Sequence, residues 1–144
     1  MSAHAFSEIF LHANWHTDND APILISEVEL FVYNYIRNRC KATNGVFFEE
    51  VGGIETHVHV VVRIEPQVDI SEFFGELKGA FSFEANKHFK RKFLYWQRGF
   101  GVVSFSKKDL PWVIEYVRRQ KEHHAPGGTL NAKLERTDPD AENG

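Results

Sequence analysis

The chain has 144 residues, 42% of them hydrophobic and 26% charged, which suits one domain with its own core and leaves no apolar run long enough for a membrane span. Its single cysteine, Cys40, excludes an intramolecular disulfide and a thiolate metal site, and the start lacks the basic and apolar segments of a secretory signal, so a reducing, cytoplasmic compartment is expected. The net charge of −3 hides an uneven distribution: residues 1–69 carry 4 Lys/Arg against 10 Asp/Glu, and residues 70–124 carry 11 against 6. A basic second half suggests a polyanionic partner, although a solvated surface would produce the same bias.

In chain order, partial alternation through Phe6, Ile9, Leu11 and Trp15 predicts a first strand near residues 5–15. Its histidines, His12 and His16, are read as structural before they are read as ligands. After a polar turn over 17–22, Ser26 and Glu29 have the spacing of a capping box, and Val28, Phe31, Val32, Tyr35 and Ile36 recur at helical spacing. Asn44-Gly45 ends that helix. A strand over 46–51 follows, with Gly52-Gly53 as the expected tight turn into an antiparallel neighbour. The next strand, His57-Val-His59-Val-Val-Val-Arg-Ile64, is rich in β-branched residues, as strands buried on both faces are.

A second helix after Pro66 buries Ile70, Phe73, Phe74, Leu77, Phe81 and Ala85, with Ser71 as its expected cap. Glycine-containing sequence from Tyr95 leads into a fourth strand over 102–105. Asp109 and Pro111 start a last helix with Val113, Ile114 and Val117 on its apolar side. His123 and His124 in its last turn are expected to complement the helix dipole. Residues 1–124 are therefore read as one domain, and the polar tail 125–144 is expected to be disordered. The order β-α-β-β-α-β plus a C-terminal helix predicts an α+β, ferredoxin-like antiparallel sheet with helices on one face.

Residues two apart on a strand point the same way, so His57 and His59 leave one face of the sheet together, as half of a divalent metal site would. Spacing alone favours two hydrogen-bonded histidines at a strand mouth. On the last helix, Tyr116 and Gln120 are four apart and share a face, with Arg118, Arg119 and Lys121 nearby.

Taken in this order, the segments 53–62, 76–79, 96–106 and 114–124 resemble the single-tyrosine transposases of the insertion-sequence-two-hundred kind, members of the His-hydrophobic-His nuclease superfamily. The likeness covers roughly residues 5–124. Glu55-Thr56 departs from the Pro-Asp or Pro-Asn pair usual before the first histidine, and the acidic first half and short tail depart as well.

The resemblance implies that His57, His59 and Gln120 hold Mg²⁺ or Mn²⁺, which polarises a scissile phosphate. It implies that Tyr116 attacks that phosphate in single-stranded DNA with hairpin ends, leaving a 5′-phosphotyrosine and a free 3′-OH. Lys78, Arg98, Arg118, Arg119 and Lys121 are the candidates for DNA-phosphate contacts. A homodimer is expected, with Tyr116 of one chain facing the histidine pair of the other. One rival reading is a DNA-hairpin-binding protein without catalysis. A histidine-triad nucleotide hydrolase ranks lower, because Val61 stands where its third histidine belongs.

Overall fold

The computed structural model describes residues 5–138. Its strands and helices run β1 (Ile9–His16), α1 (Ser26–Ala42), β2 (Val46–Ile54), β3 (His57–Ile64), α2 (Ile70–His88), β4 (Gly101–Phe105), α3 (Leu110–Arg118), α4 (Gln120–His123) and α5 (Ala132–Glu135). The strands form one antiparallel sheet in the order β2-β3-β1-β4. This is the ferredoxin-like α+β arrangement that the element order predicts. No described helix is long and apolar enough to cross a membrane.

The valine-rich strand β3 lies between β2 and β1, with both faces covered. Val58, Val60, Val62 and Ile64 face α1 and α2 in a core shared with Leu11, Ala13, Trp15, Phe74 and Phe81. Val61 points the other way and packs with Val113, Tyr116, Val117 and Leu134. Helices therefore cover both faces of the sheet, which corrects the one-face expectation. The cause is β3 itself: burying a valine is worth about 2 kcal/mol, and the apolar side of α3 provides the cover.

The paired glycines are not the hairpin turn. β2 continues through Gly52 and Gly53 to Ile54, and residues 55–56 make the turn. A register shift between Phe48 and Glu50 sets Gly52 opposite His59. There a Cβ on Gly52 would overlap the Val117 carbonyl oxygen. Glycine thus lets the helix that carries Tyr116 lie directly on β2. Gly52→Ala is expected to destabilise the fold by about 3 kcal/mol, because the clash is with backbone that cannot rotate away. A urea midpoint within error of the parent would refute this reading of the contact.

Several local expectations change in detail. α1 is capped at Ile25, while Ser26 takes φ +52° and makes no capping bond with its side chain. α2 is capped by Asp69, which accepts from the Glu72 amide at 3.0 Å, instead of by Ser71. The last helix breaks at Arg119 into α3 and α4.

The tail departs most from expectation. Leu134 is buried, Asn131 accepts from the Lys133 and Leu134 amides at 3.1 Å each, and Asn14 Nδ2 donates to the Arg136 carbonyl at 3.1 Å. One apolar anchor and a capping asparagine thus order residues that composition alone reads as disordered. Residues 139–144, the remainder of that expectation, lie outside the described residues.

Candidate active site

Three parts of the chain meet at the mouth of β3. The strand contributes His57 and His59, which are 2% and 0% exposed and lie opposite His16 and Asn14 of β1. The α3–α4 segment brings Tyr116, Gln120 and His124, and α5 brings Glu135. The Nε2 atoms of His57, His59 and His124 each lie 3.3 Å from the same Glu135 oxygen, Oε1. All four ligand-type atoms fall within 4.8 Å of one another.

This donor set fits a divalent cation. The Nε2 atoms of His57 and His59 are buried, have no aligned hydrogen bond, and point at one spot beside a carboxylate. Their other ring nitrogens are held from behind: His59 Nδ1 is 2.7 Å from His12 Nε2, and His57 Nδ1 is 3.1 Å from Thr56 Oγ1. With a cation bound, a ring proton on Nδ1 donated outward to these partners would leave each Nε2 lone pair free to face it. His16 stacks on His57 with centroids 4.4 Å apart, and its own Nδ1 meets Asp20 at 2.7 Å. His12 and His16 therefore orient the ligand-type rings.

Burial is the main cause of the low basicity here. It lowers His59 to about 4 and His12 to about 3, with the neighbouring His59 acting further on His12. It lowers His124 as well. Burial alone would raise the Glu135 carboxyl, but its contacts with His57 and His59 hold it well below the usual carboxylate range. The centre is therefore a carboxylate beside two imidazoles, His59 and His124, whose basicity burial lowers.

A histidine whose folded pKa lies below its unfolded value of 6.5 binds fewer protons folded than unfolded. Its stabilising share is present above pH 6.5 and is lost as pH falls toward the folded pKa. Metal-free protein should thus lose on the order of 2–4 kcal/mol between pH 7 and pH 5, at ~1.4 kcal/mol per pH unit per histidine. Urea unfolding at the two values measures this. Equal stability at both would mean that His12 and His59 are not held neutral.

The Tyr116 hydroxyl donates to Glu135 Oε2 and accepts from the Asn131 amide at 3.0 Å. Burial pushes its pKa up to about 12, against the Asn131 hydrogen bond and with help from the Glu135 charge, so the phenol stays protonated in this arrangement. Gln120 is buried, donates to the Tyr116 carbonyl at 3.1 Å, and places Oε1 3.0 Å from His124 Nε2. Tyr116 reaches the histidines of its own chain, with its ring centroid 6.1 Å from that of His59. Close packing of α3 on Gly52 supports this placement within one chain, and the expected sharing of the site between two chains becomes a separate proposal.

His124 and Glu135 enlarge the set expected from sequence. His124 had a signal, since it lies one turn beyond Gln120 and shares its face, although dipole compensation was the preferred reading. Glu135 had none, because nothing in a polar tail marks which carboxylate folds back.

Most of the basic candidates are already engaged. Lys78 donates to the Gln97 and Gly99 carbonyls at 3.0 and 2.6 Å and so holds the loop before β4. Arg118 pairs with Glu50 and Glu115 at 2.9 Å each, and Arg119 pairs with Glu115 at 3.3 Å. Lys121 pairs with Glu29 at 2.6 Å. Such exposed pairs are screened by solvent and do not forbid phosphate contact, but they offset the local positive potential. Arg98 is exposed and has no ion pair among the described residues.

Residues 5–120 match the family described as transposase, IS200-like. The chain belongs to that family. As an IS200-like transposase by sequence, it also shares its fold with solved relatives. A candidate transposase from Deinococcus radiodurans superposes with a TM-score of 0.66 at 20% identity, over 81% of this chain and 94% of that one. A REP-associated tyrosine transposase solved bound to a REP hairpin gives a TM-score of 0.58 at 16% identity, over 81% of this chain and 70% of that one. No curated protein matches the chain. In this IS200-like chain, Tyr116 and the His57–His59 pair both lie within the matched residues, whereas His124 and Glu135 follow them.

Proposed function

We propose that this IS200-like transposase cleaves and rejoins single-stranded DNA through a covalent tyrosine intermediate, in the cytoplasm, on strands with hairpin ends. One observation carries the reading: the Tyr116 hydroxyl and the unpartnered Nε2 atoms of His57 and His59 converge on the two oxygens of a single carboxylate. A carboxylate held there imitates the oxygens of a phosphodiester. The likeness to a protein solved on a DNA hairpin supports the choice of hairpin-ended strands.

His57, His59 and Gln120 would hold Mg²⁺ or Mn²⁺, with His124 Nε2 and Glu135 Oε1 as further donors in the same cluster. The ion supplies Lewis-acid polarisation of the scissile phosphate. Tyr116 Oη attacks phosphorus and the bond to the 3′ oxygen breaks. A 5′-phosphotyrosine remains, and the phenolic proton ends on the departing 3′ oxygen. Because the ester is conserved, rejoining needs no nucleotide cofactor. Arg118, Arg119, Lys121, Lys78 and Arg98 remain candidates for phosphate contacts around this centre. A homodimer through the sheet edges is a separate proposal, since each chain carries its own tyrosine and histidines.

Incubation with a hairpin-bearing single strand and Mn²⁺, followed by a denaturing gel, tests the reading. A protein–DNA adduct is expected. The rival, a hairpin-binding protein without catalysis, draws on the fact that Glu135 already occupies the Tyr116 hydroxyl. Absence of an adduct both from the full chain and from Glu135→Ala would establish the rival.

Glu135 has a consequence of its own. Incoming phosphate and the carboxylate compete for the same hydroxyl and the same imidazoles, so DNA must displace the tail. Glu135→Ala should raise the initial rate of adduct formation by about tenfold, the usual scale of a coupling of 1–3 kcal/mol. A rate that falls instead would make Glu135 an obligatory metal ligand.

A further inference from the structure

The sites expected to contact phosphate are largely paired with carboxylates, yet the second half of the chain is basic. Unpaired charge also gathers elsewhere. Lys87, Lys90, Arg91 and Lys92 are all exposed and make no ion pair among the described residues. With Phe83 and Tyr95, which are 66% and 49% exposed, they line a groove of about 650 Å³ to which no carboxylate contributes. A helix C-terminus attracts cations, and Lys87 with His88 meets that need in the last turn of α2. Lys90, Arg91 and Lys92 lie beyond the helix.

These residues sit on a rigid support. Asn86 Oδ1 accepts from the Phe93 and Leu94 amides at 3.2 and 2.8 Å, and Asn86 Nδ2 donates to the Leu94 carbonyl at 3.0 Å. Leu94 is fully buried, Lys90 adopts φ +57°, and the Arg91 guanidinium lies 4.3 Å from the Phe93 ring centroid. The groove lies on the α2 side of the sheet, opposite the face that carries His57 and His59, and is tied to the candidate active site through one end of the sheet. α2 runs back along the sheet to the end where β3 begins. There the Asp18 amide donates to the Tyr95 carbonyl at 2.9 Å, and the Gln97 amide to the carbonyl of His16, whose ring stacks on His57.

We propose that this groove holds the single-stranded DNA flank that continues from the scissile phosphate around this end of the sheet, with phosphates on Lys87, Lys90, Arg91 and Lys92 and bases stacked on Phe83 and Tyr95. Cations alone would suit any polyanion. Exposed rings among them select a strand whose base faces are free, which a duplex stem does not offer. The inference rests on single-stranded DNA being the partner.

Binding of labelled oligothymidylate, which forms no hairpin, is measured by anisotropy across a salt series for the full chain and two variants. Lys87→Gln/Arg91→Gln/Lys92→Gln should weaken binding and flatten the slope of log K against log salt by about 2, at ~0.7 per lost phosphate contact. Phe83→Ala/Tyr95→Ala should weaken binding about 30-fold or more with the slope unchanged, as loss of two stacking rings does. All the replaced side chains are exposed, and matched melting temperatures check the folds. Parent-like affinity in both variants would overturn the assignment, as would an equal loss on an isolated hairpin stem or binding of anionic vesicles in place of the oligonucleotide. A full chain that forms the adduct but ignores oligothymidylate sinks this inference alone. One that does neither sinks the DNA reading with it.

Discussion

Tyr116→Phe is expected to leave hairpin binding intact and to lower adduct formation by about 10⁴-fold or more, the scale on which removal of a nucleophile acts. The hydroxyl makes two contacts, with Glu135 and the Asn131 amide, and both lie inside the site. The ring itself packs against Val61, Val113 and Val117, and phenylalanine keeps that packing. The fold should therefore survive while the chemistry stops. A denaturing gel on hairpin-bearing single strands in Mn²⁺ reads the result. Cleavage at the parental rate would move the nucleophile to another group. The same protein also tests the cis site: mixed with His57→Ala chains under conditions of subunit exchange, it should regain no activity, because neither chain then holds both tyrosine and histidine. Recovery would restore the shared site that the sequence suggested.

His57→Ala with His59→Ala should lower Mn²⁺ affinity at least about 100-fold, beyond what loss of an outer hydrogen-bonding partner costs. Gln120, His124 and Glu135 remain, but one amide oxygen, one imidazole and one carboxylate without the paired rings hold such a cation weakly. Calorimetric titration measures this without any DNA. His59→Ala also strips His12 of its 2.7 Å partner in a fully buried setting, so some loss of stability is expected from that half of the pair. His57 instead meets the neighbouring Thr56 hydroxyl and Glu135, neither of which its loss strands in a fully buried setting, so His57→Ala alone should cost less stability than His59→Ala. Unchanged Mn²⁺ binding in the double variant would return the pair to an ordinary buried cluster.

The sheet was legible because periodicity reports burial. Alternating Val58, Val60, Val62 and Ile64, and the stripes of α1 and α2, could bury themselves in few other ways. The histidine pair and the Tyr116–Gln120 spacing were legible because a strand repeats every two residues and a helix every three to four. Local rules misled where a tertiary contact outweighed them. Gly52-Gly53 has the composition of a turn, yet its purpose is to admit the Val117 carbonyl of a helix sixty-odd residues downstream. Arg118 and Lys121 have the composition of phosphate contacts, yet Glu50 and Glu29 of distant elements meet them first.

The sequence by itself determined the four strands, the two long helices and which face of β3 holds the two imidazoles, since backbone periodicity and residue type decide these. Only the tertiary structure shows that Tyr116 comes near His59 within one chain and that His124 gathers with His57 and His59. It alone decided that Glu135 closes the cluster. These are contacts between segments up to 78 positions apart, from His57 to Glu135, and no local pattern encodes such distances. They follow from how α3 docks on a glycine and how one buried leucine, Leu134, anchors a polar tail across the site.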